Sequence, residues 1–159
     1  MPPVATPRVA AGALFSDDQG RMLLVKPIYK KHWDIPGGYV EPRESPRTAC
    51  IRELREELGI SIQVGSTLVV DWAPAENEGD KLLFVFDGAS LTRKQEKEIR
   101  FLDSEISDWK YVSSEALERY TPARLTRRIN SAIRAREEGR TMYTEHGQPP
   151  GQTTIDHNA

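Results

Sequence analysis

A chain of 159 residues can bury one core of useful size and is too short for two ordinary domains. With 38% hydrophobic and 29% charged residues it has a globular composition, and no apolar run approaches the roughly 20 residues needed to cross a bilayer. The 22 basic and 24 acidic side chains leave a net charge of −2, so no overall field draws the chain to nucleic acid or an anionic membrane.

Residues 1–7 hold three prolines and no periodicity and read as a loose arm. They lack the basic start and apolar stretch of a secretory signal, so a cytoplasmic location is the expectation. Residues 8–16 and 21–26 are short apolar runs separated by Asp17-Asp18-Gln19-Gly20, which predicts two strands joined by a tight turn. A further extended piece spans Trp33 to Ile35, after which Pro36-Gly37-Gly38 predicts a turn.

A helix start follows, with Ser45 as N-cap and Pro46 at the first helical position. Gly59 marks its stop, with Ile60 able to pack back on the last turn. Cys50, Leu54 and Leu58 recur at spacing four as the buried stripe, with Ile51 beside them. Cys50 is the single cysteine, which excludes an intramolecular disulfide and makes it a small core residue.

Residues 61–72 and 81–86 read as strands, a polar segment covers 92–108, and a short strand follows at 109–112. Leu125, Ile129 and Ile133 predict a second amphipathic helix over residues 122–138, stopped by Gly139. Arg124, Arg127, Arg128, Arg134, Arg136 and Arg140 crowd this region; a solvated helix face accounts for them, and a polyanion contact is the alternative. Residues 141–159 show no core pattern and read as a disordered tail. The expected architecture is one α/β domain over residues 8–140, with a mixed sheet held between helices.

Glu53, Glu56 and Glu57 break a local rule. They share one helix face, where like charges cost about 0.2–0.5 kcal/mol per pair. They also sit at the helix C-terminus, where the macrodipole prefers cations. Arg52 offsets part of the charge, and a divalent cation with oxygen ligands would neutralise the remainder.

Gly38, five residues, Glu44, seven residues and then Arg52-Glu53-Leu54-Arg55-Glu56-Glu57-Leu58-Gly59-Ile60 resemble the Nudix box at every defined position. Trp33-Asp34-Ile35-Pro36-Gly37-Gly38 is similar to the family's approach to that box, and the likeness runs over residues 8–138. The resemblance implies an α/β/α sandwich that cuts a pyrophosphate bond in a nucleoside diphosphate derivative with help from Mg²⁺ or Mn²⁺. It implies that Glu56 and Glu57 bind metal, that Glu53 completes the cluster, and that the Gly37 carbonyl reaches a metal. By the same likeness Arg52 holds a glutamate in place, Glu44 supports the loop, and Gly38 and Gly59 shape the box. The general base comes from the box, as Glu53, or from a later loop, where Glu98, Glu105 and Asp108 are the candidates and Ser104-Glu105-Ile106-Ser107-Asp108-Trp109 favours Glu105.

Trp33, Tyr39 and Trp72 are candidates to stack on a base, and Arg8, Lys26 and Arg43 to meet phosphates. Pro74, fifteen residues beyond Gly59, lies near a proline of ADP-ribose hydrolases, which favours ADP-ribose or a nucleotide sugar over a nucleoside triphosphate. A non-catalytic nucleotide-sensing module and an RNA 5′-end pyrophosphohydrolase are the alternatives. The expected partner is a small nucleotide, with a homodimer allowed and neither membrane nor nucleic acid expected.

Overall fold

Both faces of β1 (Arg8–Phe15) are covered, which fixes the layering of the molecule. The computed structural model describes residues 1–152. Ala11, Ala13 and Phe15 pack with Cys50, Leu54 and Leu58 of α1 (Pro46–Leu58), whereas Leu14 packs with Leu125, Ile129 and Ala132 of α4 (Ala123–Glu138). The strand therefore lies between two helices. Its sheet runs β3 (Gly37–Tyr39), β1, β5 (Lys81–Ala89), β4 (Thr67–Trp72), β7 (Met142–Glu145). The β1–β5 and β4–β7 pairs are parallel and the others antiparallel. This is the mixed sheet between helices expected from the sequence. A second pair, β2 (Met22–Pro27) with β6 (Ile106–Val112), completes the strands, and two short helices, α2 (Arg93–Glu98) and α3 (Leu117–Tyr120), precede α4. No helix among the described residues is long and apolar enough to cross a membrane.

The helix boundaries follow from their caps. Ser45 Oγ accepts from Thr48 N at 3.1 Å, and Gly59 adopts φ 69° while its amide reaches Arg55 O at 2.9 Å. The left-handed Gly139 closes α4 in the same way.

Several expectations are corrected. Asp17 does make the tight turn, its Oδ1 accepting from Gln19 N at 3.0 Å and Arg21 N at 2.8 Å. The flanking strands nevertheless part after one bridge, Ser16 to Met22, because β3 and β5 already occupy both edges of β1. The predicted turn at Gly37-Gly38 is instead strand β3. A Cβ on Gly37 would lie 2.3 Å from Ala11 O, so glycine here permits close backbone approach. The strand after α1 begins only at Thr67, and the polar segment contains α2, capped reciprocally by Thr92 and Gln95.

The tail expected to be disordered from residue 141 instead contributes β7. Met142 and Thr144 are buried, but four residues are too few to show alternation above background. Residues 153–159, the rest of that expectation, lie outside the described residues.

Nor do the C-terminal arginines form one solvated face. Arg136 donates to Leu14 O at 2.6 Å, Ser16 Oγ at 2.7 Å and Asp87 Oδ1 at 2.8 Å. Arg127 Nε reaches His146 O at 3.0 Å. Asp71, fully buried, accepts from Arg128 Nε at 2.6 Å, Thr144 Oγ1 at 2.7 Å and Gly147 N at 2.9 Å, tying β4, α4 and the segment after β7 together.

Removing one partner of a buried pair strands the other charge. Asp71→Ala is expected to cost about 3–5 kcal/mol in urea unfolding. Arg134→Ala, which breaks an exposed pair with Glu138, should cost under about 1 kcal/mol. Equal midpoints for the two variants would show that Asp71 is not the organising contact.

Candidate active site

Arg52 uses all five of its N–H donors. Nε and Nη2 grip Glu44 at 2.8 and 2.9 Å, Nη1 meets Glu53 Oε1 at 2.9 Å and Glu56 Oε2 at 3.2 Å, and Nη2 also reaches Tyr39 O at 3.1 Å. A lysine, with three donors on a point charge, could not form this fork. The guanidinium holds the Glu44 carboxyl down to about 2. Glu44, whose Oε1 also accepts from Glu41 N at 3.1 Å, thereby fixes the loop leading into α1. The Arg52 guanidinium is raised in turn, chiefly by its bonds to Glu44.

Gly38 passes directly over Glu53: a Cβ there would lie 2.5 Å from Glu53 Cδ. Glu53 is half-buried, and that burial raises its carboxyl above the ordinary value. Glu56 is the most open of the three, with its side chain 46% exposed. Glu57 is 5% exposed and accepts a hydrogen bond from Gly37 N at 2.9 Å. Burial pushes its carboxyl up to about 9; the Gly37 bond counters this in part, while Glu53, Asp34 and Asp103 add to it. Ionisation near 4.3, which an exposed glutamate would show, therefore does not hold for Glu57.

Residues 100–105 fold over the C-terminus of α1. Arg100 N donates to Leu58 O at 2.8 Å, and Leu102 N and Asp103 N both donate to Glu56 O at 3.2 Å. Gly59 allows this contact, since a Cβ would meet Arg100 O at 2.7 Å. Asp103 and Glu105 are thus carried to within electrostatic reach of Glu57 and Glu53 respectively.

A cleft of about 750 Å³ opens beside Glu57. Gly37, Gly38 and Tyr39 line it at β3, and Arg124 and Arg128 line it where α4 meets β4. From β3 to β4 is three strand spacings, roughly 14 Å. Lys30, Asp34, Glu78 and Lys81 also border it. Tyr39 OH bonds Glu78 Oε1 at 2.8 Å, and Glu78 pairs with Lys81.

Among the residues singled out in the sequence, Arg52, Glu53, Glu56, Glu57, Glu44, Gly37 and Gly38 come together, and Tyr39 joins them at the cleft. Trp33 does not: its ring packs edge-on against Tyr120 at 6.2 Å with Lys110 Nζ 4.6 Å above it. Trp72 is half-buried in β4 and lies outside the cleft lining. Arg8 and Arg43 are exposed and also outside it, and Lys26 Nζ is turned onto Pro27 O at 2.8 Å and onto Lys30 O. Of the candidate bases, Glu105 is exposed beside Ile28, whose amide its carbonyl accepts at 2.8 Å. Asp108 sits in β6 with Oδ1 accepting from Trp109 N at 2.8 Å, and Glu98 ends α2. Sequence reasoning missed Asp34, Asp103, Lys81 and the place of Arg124 and Arg128 on the cleft wall. Asp34 could have been found from its position in the approach to the box.

Among the described residues no three His, Cys, Asp or Glu side chains form a ready metal cage. The donor set still fits a hard divalent ion. Mg²⁺ takes one or two carboxylates and keeps several waters, and Glu57 is a buried carboxyl with a backbone amide as its hydrogen-bond partner and a second carboxyl, Glu53, nearby.

The NUDIX domain profile matches residues 6–133. A CTP pyrophosphohydrolase of Escherichia coli (strain K12) is 64% identical over 33 residues, covering 21% of this chain and 24% of that protein. An RNA pyrophosphohydrolase of Ectopseudomonas mendocina (strain ymp) is 38% identical over 56 residues, 35% of each chain. These alignments span about a quarter to a third of the relatives' lengths. Among solved structures, a MutT protein from Methanosarcina mazei Go1 aligns at TM-score 0.67 and 25% identity, covering 86% of this chain and 99% of that one. The E. coli ORF135 protein aligns at TM-score 0.63 and 27% identity, covering 84% and 92%.

The buried Glu57 gives a pH dependence of stability. Its carboxyl is raised on folding, so unfolded chains lose the proton near pH 4.5 while folded ones keep it to about pH 9. Stability of the metal-free protein should fall across that window, since the folded state there binds more protons. Glu57→Gln keeps the shape and stays neutral. Its melting temperature should exceed wild type by several degrees at pH 8 and match it near pH 4.5, with Mg²⁺ narrowing the gap by stabilising wild type alone. No gap at pH 8 would refute the assignment of a buried, neutral Glu57.

Proposed function

Because the chain belongs to the NUDIX family, we propose that it hydrolyses a pyrophosphate bond in a nucleoside diphosphate derivative with the help of Mg²⁺ or Mn²⁺. The observation that carries this reading is the box itself: one guanidinium aligning Glu44, Glu53 and Glu56 beside a buried Glu57 at the mouth of a nucleotide-sized cleft. Glu53, Glu56, Glu57 and the Gly37 carbonyl would hold the ion, which when bound neutralises phosphate charge and makes water a better nucleophile.

The chain's own residues supply the rest. Arg52 fixes the carboxylates before substrate arrives, so no reorganisation is needed on binding. Lys30 and Lys81 border the cleft paired with Asp34 and Glu78, and their ammonium groups turn to the diphosphate when it enters. Glu105, exposed and near Glu53, accepts the proton of the attacking water. The new P–O bond forms as the bridging P–O bond breaks, and two phosphate-bearing products leave.

A nucleotide sugar or a related diphosphate derivative, ADP-ribose among them, stands ahead of a nucleoside triphosphate. Pro74, which pointed to ADP-ribose, has a second role here: its carbonyl accepts from Arg124 Nη2 at 3.0 Å. An RNA 5′ end finds less support, since Arg127, Arg134, Arg136 and Arg140 are engaged within the chain.

Purified protein with Mg²⁺ should convert members of a panel of nucleotide sugars and nucleoside triphosphates to mononucleotide and phosphorylated product. Glu57→Gln, folded by circular dichroism, should lose about 100-fold or more in kcat/KM. Arg52→Lys should weaken metal affinity about 10- to 100-fold, as expected when a carboxylate loses its orienting partner. Absence of turnover across the panel would defeat the reading.

A further inference from the structure

The wall of the cleft at the junction of α4 and β4 is cationic and incompletely paired. Arg124 and Arg128 stand one turn apart on α4 and both line it. Arg128 commits Nε to Asp71 Oδ2 at 2.6 Å, while its Nη1 and Nη2 have no hydrogen-bond partner among the described residues. Arg124 gives Nη2 to the neutral Pro74 O at 3.0 Å, and its Nε is buried with no hydrogen-bond partner. Two guanidiniums against one carboxylate leave a positive charge unmatched.

Beside these arginines the lining includes the apolar side chains of Ala10, Ile35, Leu83, Val85 and Leu125, with the Lys81–Glu78 pair also bordering the cleft. Such walls suit the faces of a flat ring. A phosphate would satisfy the guanidiniums but lose its hydration against them, whereas a ring with acceptors on its far edge fits both surroundings. The cleft crosses the sheet from β3 to β4, a span that a nucleoside 5′-diphosphate can bridge.

We propose that Arg124 and Arg128 read the substrate's nucleobase, selecting an edge with two adjacent acceptors over one that mixes donor and acceptor. O6 and N7 of guanine are such a pair; adenine presents the N6 amine beside N7. A guanidinium has donors only, so against adenine an N–H faces an N–H and both lose their partner. The assignment rests on the hydrolytic reading of the same cleft and deepens it by naming the base, which within that substrate class places a guanine derivative ahead of ADP-ribose.

The test uses pairs that differ only in the base: GDP-mannose against ADP-mannose, and GTP against ATP, with GMP and AMP binding measured by calorimetry alongside. The guanine member should be favoured about 10- to 100-fold in kcat/KM, the range of one good bidentate contact. Arg124→Met keeps the apolar stem and removes the donors. It should bring the guanine-to-adenine ratio near unity, with the loss falling on KM rather than kcat, and Arg124→Lys should recover part of the ratio. A merely structural role would lower both bases alike. Should the Met variant melt below assay temperature, Arg124→Gln serves instead: its amide pairs a donor with an acceptor, so it should bring the guanine-to-adenine ratio to unity or below. If neither pair is hydrolysed but GMP still binds more tightly than AMP in an Arg124-dependent way, the base assignment stands and the hydrolytic reading falls. GMP binding no tighter than AMP, or a ratio that survives Arg124→Met, overturns the base assignment whatever the catalytic result.

Discussion

The Arg52 guanidinium is the contact on which the site depends. Glu53 and Glu56 are repelled by each other and by the C-terminal dipole of their own helix. They remain side by side because one planar cation contacts both and is itself anchored on Glu44 and the Tyr39 carbonyl. The loop ahead of α1 and the helix face thus share a single electrostatic tie. Because all five donors are in use, no contact can shift without leaving an N–H unpaired. Carboxylates in the proposed ion-binding role gain from such rigidity, since an ion placed among them must find its ligands already oriented.

A second constraint is steric. Gly37 and Gly12 are register partners in β3 and β1, and at both positions a Cβ would strike backbone of the opposing segment, Ala11 O for one and Pro36 O for the other. Gly38 clears the path of Glu53 in the same stretch. β3 can therefore lie close enough to present the Gly37 amide to Glu57. The sheet and the carboxylate helix are registered to each other through the Gly37 amide and the buried Glu57 side chain.

What the sequence revealed divides along this line between local and long-range causes. The α1 caps, its buried stripe of Cys50, Leu54 and Leu58, and the box glutamates were all legible, because each depends on residues within a few positions. The α4 helix and its stop at Gly139 were legible for the same reason. Strand partners were not. Residues 8–16 and 21–26 carry every sign of a hairpin, and only the occupation of both β1 edges by distant strands prevents it. β7 was missed because its pattern covers four residues and its anchor, Asp71, lies 73 positions away from Thr144. Trp33 and Trp72 were plausible base-stacking partners by type, but Trp33 is held against Tyr120 and Trp72 lies outside the cleft lining. The arginines of α4 were visible as a charge cluster, yet their separate duties depend on which acceptor each one meets.

The pairing of β7 with β4 has a consequence for how the chain is made. Synthesis runs from the N-terminus, so β4 and the acceptor atoms of Asp71 leave the ribosome long before Thr144 and Gly147 exist to cover them. Until then one edge of the sheet is open and a carboxylate destined for the interior faces water. A nascent chain is thus kept from its final packing until nearly the whole described segment has emerged, and an interrupted product exposes a bare strand edge that quality-control proteases can recognise.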